Sequence, residues 1–161
     1  MQVVIVAPEE AEILDIAGPA EIFRSATEVY ESLHPKARGP YSVKVISSTH
    51  ELMIRTSSGL ELKADDTFRT FTGPVDTLLI AGGLFKGIMK TSSNRDLLRW
   101  LIAVSRDARR TGSICTGAFV LAAAGLLRGK RATTHWSRIS DLSRMYPDIR
   151  VDPIAIYTVD G

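Results

Sequence analysis

Cysteine is almost missing from this sequence. Cys115 is the only one in 161 residues, which excludes an internal disulfide and any site built from two or more thiolates. Histidine is nearly as scarce. His34, His50 and His135 stand too far apart to give a metal-ligand spacing, so no metal and no other cofactor is expected. No apolar run approaches the ~20 residues that a membrane span needs. The opening Met1-Gln2-Val3-Val4 lacks the basic flank and apolar stretch of a signal peptide, so the chain is read as cytoplasmic. Net charge is only +2, too small to keep a chain unfolded by self-repulsion and too small by itself for a nucleic-acid footprint. There is no Walker pattern and no G-x-G-x-x-G fingerprint, and there are no repeats, low-complexity tracts or linkers.

What is present suits one folded domain. Hydrophobic residues make up 45% and charged residues 24%, ordinary values for a chain that buries a core. Gln2 to Ala7 is an unbroken β-branched run, as in a strand buried on both faces. An acidic loop follows, and then a helix from about Ala20 to Leu33 with Pro19 in its first turn. Further strands are expected at Tyr41 to Ser47 and Asp76 to Ala81, with a hairpin over Met53 to Leu62 turning at Ser57-Ser58-Gly59. Apolar residues at helical spacing mark Asn94 to Arg110, whose arginines read as a solvated face or, less simply, as a phosphate site. Thr111 to Ile114 is a strand, Thr116 to Leu127 a helix, and Ser137 to Met145 a last helix. Strand-like pieces follow near Ile149 to Val151 and Ile156 to Val159. The alternation predicts an α/β fold with a mostly parallel sheet and helices on both faces.

In such sheets ligands bind beyond the carboxyl ends of the strands. Three strand ends carry candidates: Asp15 and Glu21 after the first, Gly82-Gly83 after the strand at 76–81, and Cys115 after the strand at 111–114. Ser113-Ile-Cys115-Thr-Gly117 has the small-x-nucleophile-x-Gly layout of a nucleophile elbow. A helix N-terminus there would favour the thiolate and set the thiol pKa below ~8.5. Free cysteines are also among the most buried residues, and Cys115 reads equally as an inert core thiol. The Gly82-Gly83 amides suit an oxyanion or carboxylate cradle, or simply a tight turn. Asp15 reads as an acid–base partner of the thiol or as a helix cap. Glu21 reads as a second acid or a solvated one, and His135 as a partner of Cys115 or a structural histidine in a polar turn.

Ser113 to Trp136, with its Cys-Thr-Gly and Thr-Thr-His-Trp ends, closely resembles the ThiJ/PfpI superfamily. Leu14 to Phe23 and the Gly82-Gly83 loop resemble the same family in the same order. The resemblance implies a flavodoxin-like, class I glutamine amidotransferase-like fold and a homodimer. Two branches share these motifs. In one, the domain is the ligand-sensing N-terminal part of an AraC-type transcriptional regulator. In the other it is isonitrile hydratase, an enzyme that hydrates an isocyanide. The longer stretch from Val29 to Pro40, Arg55 to Leu60, Ile149 to Pro153 and the final Tyr157 to Gly161 resemble the regulator branch. In that branch Asp15, Glu21, Gly82, Gly83, Thr116 and His135 would surround a small-molecule ligand next to Cys115. In the enzyme branch Cys115 would be the nucleophile and Asp15 its acid–base partner. The family's peptidases carry a histidine directly after the cysteine, where this chain has Thr116, so peptidase activity is not expected. The family pattern runs on past Gly161. The chain therefore reads as a single domain over 1–161, cut near its C-terminal end, that would reach DNA only through a C-terminal domain it does not contain.

Overall fold

The structure, a computed structural model, describes residues 1–160. Strand β1 (Gln2–Ala7) is the centre of a five-stranded sheet. Its neighbours are β2 (Ser42–Ser47) and β6 (Thr77–Ile80), with β5 (Asp66–Thr67) and β7 (Arg110–Ser113) outside them, and every pairing is parallel. A central parallel strand is covered on both faces, which is why β1 is uniformly apolar instead of alternating. Successive side chains nevertheless serve different layers. Val4 and Val6 join the core beneath helices α2 (Phe85–Ser92), α3 (Arg95–Asp107), α4 (Ala118–Ala123) and α5 (Ile139–Met145). Val3 and Ile5 pack on the opposite side under α1 (Ile13–Leu33) and the antiparallel hairpin β3 (Met53–Arg55) and β4 (Glu61–Lys63). Phe119 is wholly buried in the larger core, with Phe85 set edge-on at 5.2 Å and Tyr146 at 6.4 Å.

The order β2-β1-β6-β7 is that of flavodoxin-like sheets, and its switch point lies between β1 and β6. The loops leaving those two strands meet there, Ala11 bridging to Gly83 at the carboxyl edge. The arginines of α3 point outward, Arg99 pairing with Asp96, and past the end of the helix Arg109 pairs with Asp76.

Several expectations need correction. Helix α1 begins at Ile13, about seven residues before the expected start, and Pro19 lies inside it. The proline forgoes only its own bond to the Asp15 carbonyl, and burial of Ile16 and Phe23 holds the helix across the gap. The helix expected from Thr116 to Leu127 is a 3₁₀ turn, Cys115–Gly117, followed by the six residues of α4. Gly125, at φ +75°, ends it in a Schellman motif: Leu126 N–H donates to the Leu121 carbonyl at 3.0 Å and Gly125 N–H to Ala122 at 2.9 Å. Residues 156–159 form no strand. Ile156, Tyr157 and Val159 are exposed, and no neighbouring strand offers a ladder; β9 (Arg150–Val151) pairs only with β8 (Arg131–Ala132). Helix α2 has no counterpart in the sequence reading.

Close approach of α4 to β6 depends on Gly117, where a β-carbon would stand 2.4 Å from the Ile80 carbonyl oxygen. Gly112→Ala, by contrast, meets only Leu79 Cδ2 at 3.5 Å. Urea denaturation should show Gly117→Ala destabilised by about 2 kcal/mol or more and Gly112→Ala within about 0.5 kcal/mol of wild type. Equal effects would refute the close-approach account.

Candidate functional site

The first turn of α1 grips the loop after β6 from two sides. The Asp15 carboxylate accepts the Gly82 N–H at 3.0 Å, and the Glu12 N–H donates to the Gly82 carbonyl at 2.9 Å. Asp15 therefore does not cap its own helix; Glu12 occupies the cap position. From the other side, the Thr116 hydroxyl accepts the Gly83 N–H and donates to the Gly83 carbonyl, both at 3.0 Å. A β-carbon on Gly82 would lie 2.6 Å from Asp15 Oδ2, 2.9 Å from Cys115 Cβ and 3.0 Å from Thr116 Oγ1. The three side chains thus converge on the space that only glycine leaves open.

Cys115 leaves β7 with φ at +52°, a left-handed conformation rare for a residue with a side chain. Its carbonyl accepts the Thr134 hydroxyl at 3.0 Å, so the loop after β8 helps hold the turn. The thiol is half-buried.

The electrostatics depart from expectation. Burial pushes the Cys115 thiol above its ordinary range; the Thr116 N–H works against this, and the negative charges of Asp15 and Glu12 add to it. This direction runs against the low thiol pKa expected from the motif. The helix that should have stabilised a thiolate is only one 3₁₀ turn and six residues, while the charges of Asp15 in the first turn of α1 and of Glu12 at its cap position oppose ionisation. Asp15 is raised as well, first by burial, then held back by the Gly82 N–H, raised by Glu12 and lowered by His135. Burial is the first cause for both neighbouring acids.

The remaining candidates are placed differently. The Gly82 and Gly83 amides are occupied by Asp15 and Thr116 and do not stand free as a cradle. His135 acts on Asp15 only through its charge; its Nδ1 lies 2.8 Å from the Ser137 hydroxyl and caps the turn 136–138. Glu21 is exposed on the surface of α1, paired with Arg24 at 2.9 Å, and is not brought to the cluster, because six residues on from Asp15 it faces away. Glu12 and Thr134, which the motifs did not suggest, are in or against the site; Glu12 lies one helical turn before Asp15. A cleft of about 390 Å³ lies elsewhere, between α5 and residues 151–153, lined by Ser140, Ser143, Arg144 and Pro153 among others. Among the described residues no three His, Cys, Asp or Glu side chains gather as a metal site, and no helix is long and apolar enough to cross a membrane.

The DJ-1/PfpI family pattern matches residues 1–151. An uncharacterized protein in the cpoL 5′ region of Streptomyces lividans is 34% identical over 146 residues, which are 91% of this chain and 95% of that protein. Isonitrile hydratase of Pseudomonas putida is 35% identical over 130 residues, 80% of this chain and 49% of the hydratase. The HTH-type transcriptional regulator GbdR of Pseudomonas aeruginosa is 32% identical over 105 residues, 65% of this chain and 27% of GbdR. This chain thus spans about half of the hydratase and about a quarter of the regulator. Among solved structures, a ThiJ/PfpI family protein from Pseudomonas syringae superposes with a TM-score of 0.78 at 22% identity, covering 99% of this chain and 59% of that one. An AraC family transcriptional regulator from Pseudomonas putida superposes at 0.65 and 20% identity, covering 99% and 79%. Both show the fold.

The charge arrangement has a measurable sign. Raised by burial and by Asp15, the Cys115 thiol should be alkylated with a pH midpoint above that of a free thiol. Asp15→Asn, which removes a like charge, should lower that midpoint and speed alkylation at neutral pH. A midpoint below the free-thiol value, or one that Asp15→Asn leaves in place, contradicts the arrangement.

Proposed function

The chain belongs to the DJ-1/PfpI family, and on that premise we propose that it is the ligand-sensing and dimerisation domain of an AraC-type transcriptional regulator, with its small-molecule site at Asp15, Gly83, Cys115 and Thr116. The observation that carries this reading is the resting state of the site. A thiol that burial and two carboxylates keep protonated is a poor nucleophile, and the neighbouring glycine amides are already bonded within the protein. A polar, half-buried pair at the switch point suits recognition of a small polar molecule better than turnover. The relation to GbdR points the same way. Operator DNA would be read by a separate domain.

Dimerisation has its own support. Leu14, Ile22, Val29 and Leu33 are 59–72% exposed and fall within one face of α1 at helical spacing. Exposed apolar side chains along one helix face mark an interaction surface, and a second copy of the same helix would cover them symmetrically.

The second reading is an isonitrile hydratase-like enzyme, favoured by the 35% identity to that protein and by Asp15 sitting beside Cys115. There the sulfur would bond to the isocyanide carbon while the thiol proton, passed through Asp15, reaches that same carbon. Water would then add to the thioimidate, the sulfur would leave with a proton, and R–NH–CHO would depart, the sum being R–NC + H₂O.

One preparation tests both halves of the proposal. With cyclohexyl isocyanide, wild type and Cys115→Ala should form the formamide equally slowly; Cys115-dependent turnover would replace the sensor reading with the enzyme. By sedimentation the wild type should be a dimer and Ile22→Glu with Val29→Glu a folded monomer. A monomeric wild type would refute dimerisation through α1.

A further inference from the structure

Three segments next to the Asp15–Cys115 pair are fastened to one another. The elbow at Cys115 and Thr116 holds the loop after β6 through the two Thr116–Gly83 bonds. It holds the loop after β8 through the Thr134 hydroxyl on the Cys115 carbonyl. Those two loops also touch each other directly. The Arg138 guanidinium lies over the Phe85 ring, 4.2 Å from its centroid, and is bonded to Asp141 at 3.1 Å.

Two large apolar side chains on these segments are left in solvent. Leu84, between Gly83 and Phe85, is 47% exposed, and Trp136, between Thr134 and Arg138, is 80% exposed. Both stand on fixed backbone. The Leu84 N–H donates to the Glu10 carbonyl at 3.1 Å, and the turn that carries Trp136 is closed by the Arg138 N–H on the His135 carbonyl at 2.8 Å. The indole rests against the His135 ring, 5.3 Å from centre to centre and inclined by 37°. Each side chain lies within two residues of a group bonded to the elbow, which keeps the Trp136 α-carbon within about 8 Å of that of Thr134. Bared aromatic surface held this close to a polar site is suited to covering something that enters it.

We infer that Leu84 and Trp136 form an apolar rim to the Asp15–Cys115 site and select a small molecule that carries an aromatic or branched hydrocarbon group beside its polar one. The polar group would meet the Asp15 carboxylate and the Cys115 thiol, and the hydrocarbon would lie on the indole and Leu84. Trp136 is then the specificity-determining residue, because an indole face rewards a flat ring beyond the area it covers. The inference rests on the Asp15–Cys115 site proposed above and names the class of molecule that this site takes.

Because Cys115 is the only thiol, maleimides report the rim without a natural ligand or turnover. The quantity read is the alkylation rate with N-phenylmaleimide over that with N-ethylmaleimide, each divided by the rate of the same probe with glutathione. Wild type should prefer the phenyl probe by about three- to tenfold, the worth of one well-placed aromatic contact. Trp136→Ala should abolish the preference, Trp136→Phe should keep most of it, and Leu84→Ala should lose part. Ile156→Ala removes an apolar side chain that is 97% exposed and lies outside the three segments, and it should keep the wild-type ratio. No preference in wild type, a wild-type ratio in Trp136→Ala, or equal losses in Trp136→Ala and Ile156→Ala would overturn the inference. Cys115-dependent turnover would remove the sensor reading and leave this ratio readable.

Discussion

The site depends on one hydrogen bond, from the Gly82 N–H to the Asp15 carboxylate. It joins the first turn of α1 to the loop after the neighbouring strand, at the point where a doubly wound sheet changes direction. Gly82 must be glycine for it to form, because Asp15, Cys115 and Thr116 fill the space a side chain would need. The parallel sheet brings three strand ends to one edge, and this bond together with the Thr116–Gly83 pair fixes how closely they meet. The left-handed turn at Cys115 then sets the thiol beside the carboxylate.

The same closeness decides the chemistry. An isolated cysteine at a helix start would be expected to ionise readily; here burial and carboxylates dominate over a very short helix. The two readings of the family motif differ on this point. A hydratase must bring its thiol into reaction, whereas a sensor needs only a shaped, polar, reversible contact. Protonated Cys115 and raised Asp15 give the second without further adjustment, while leaving Asp15 able to hold a proton if a substrate should need one.

Much of this was legible in the residues. The apolar run of β1 announced a central parallel strand, and parallel strands necessarily send Asp15, Gly82 and Cys115 to one edge. The small residues around Cys115 announced the sharp turn. Elsewhere local pattern was misleading. Ile13 to Pro19 reads as loop because Gly-Pro breaks helices, yet core packing of Ile16 and Phe23 carries α1 through it. Ala- and Leu-rich composition hid the stop at Gly125, which a positive φ enforces. The direction of the thiol shift and the stacking of Arg138 on Phe85 have no local signature, because both arise from groups that only the fold brings together. Glu21 was singled out with Asp15 after the first strand, but helical geometry turns it to solvent.

The central claim is that Asp15 is a half-buried carboxylate, bonded to Gly82, that burial raises above the ordinary aspartate range. The amide resonance of Gly82, followed by nitrogen-15 NMR as pH is raised, reports it directly. The account predicts a Gly82 shift that titrates with a midpoint above the ordinary aspartate range and vanishes in Asp15→Asn. A midpoint at or below that range, or a titration that survives Asp15→Asn, would contradict it.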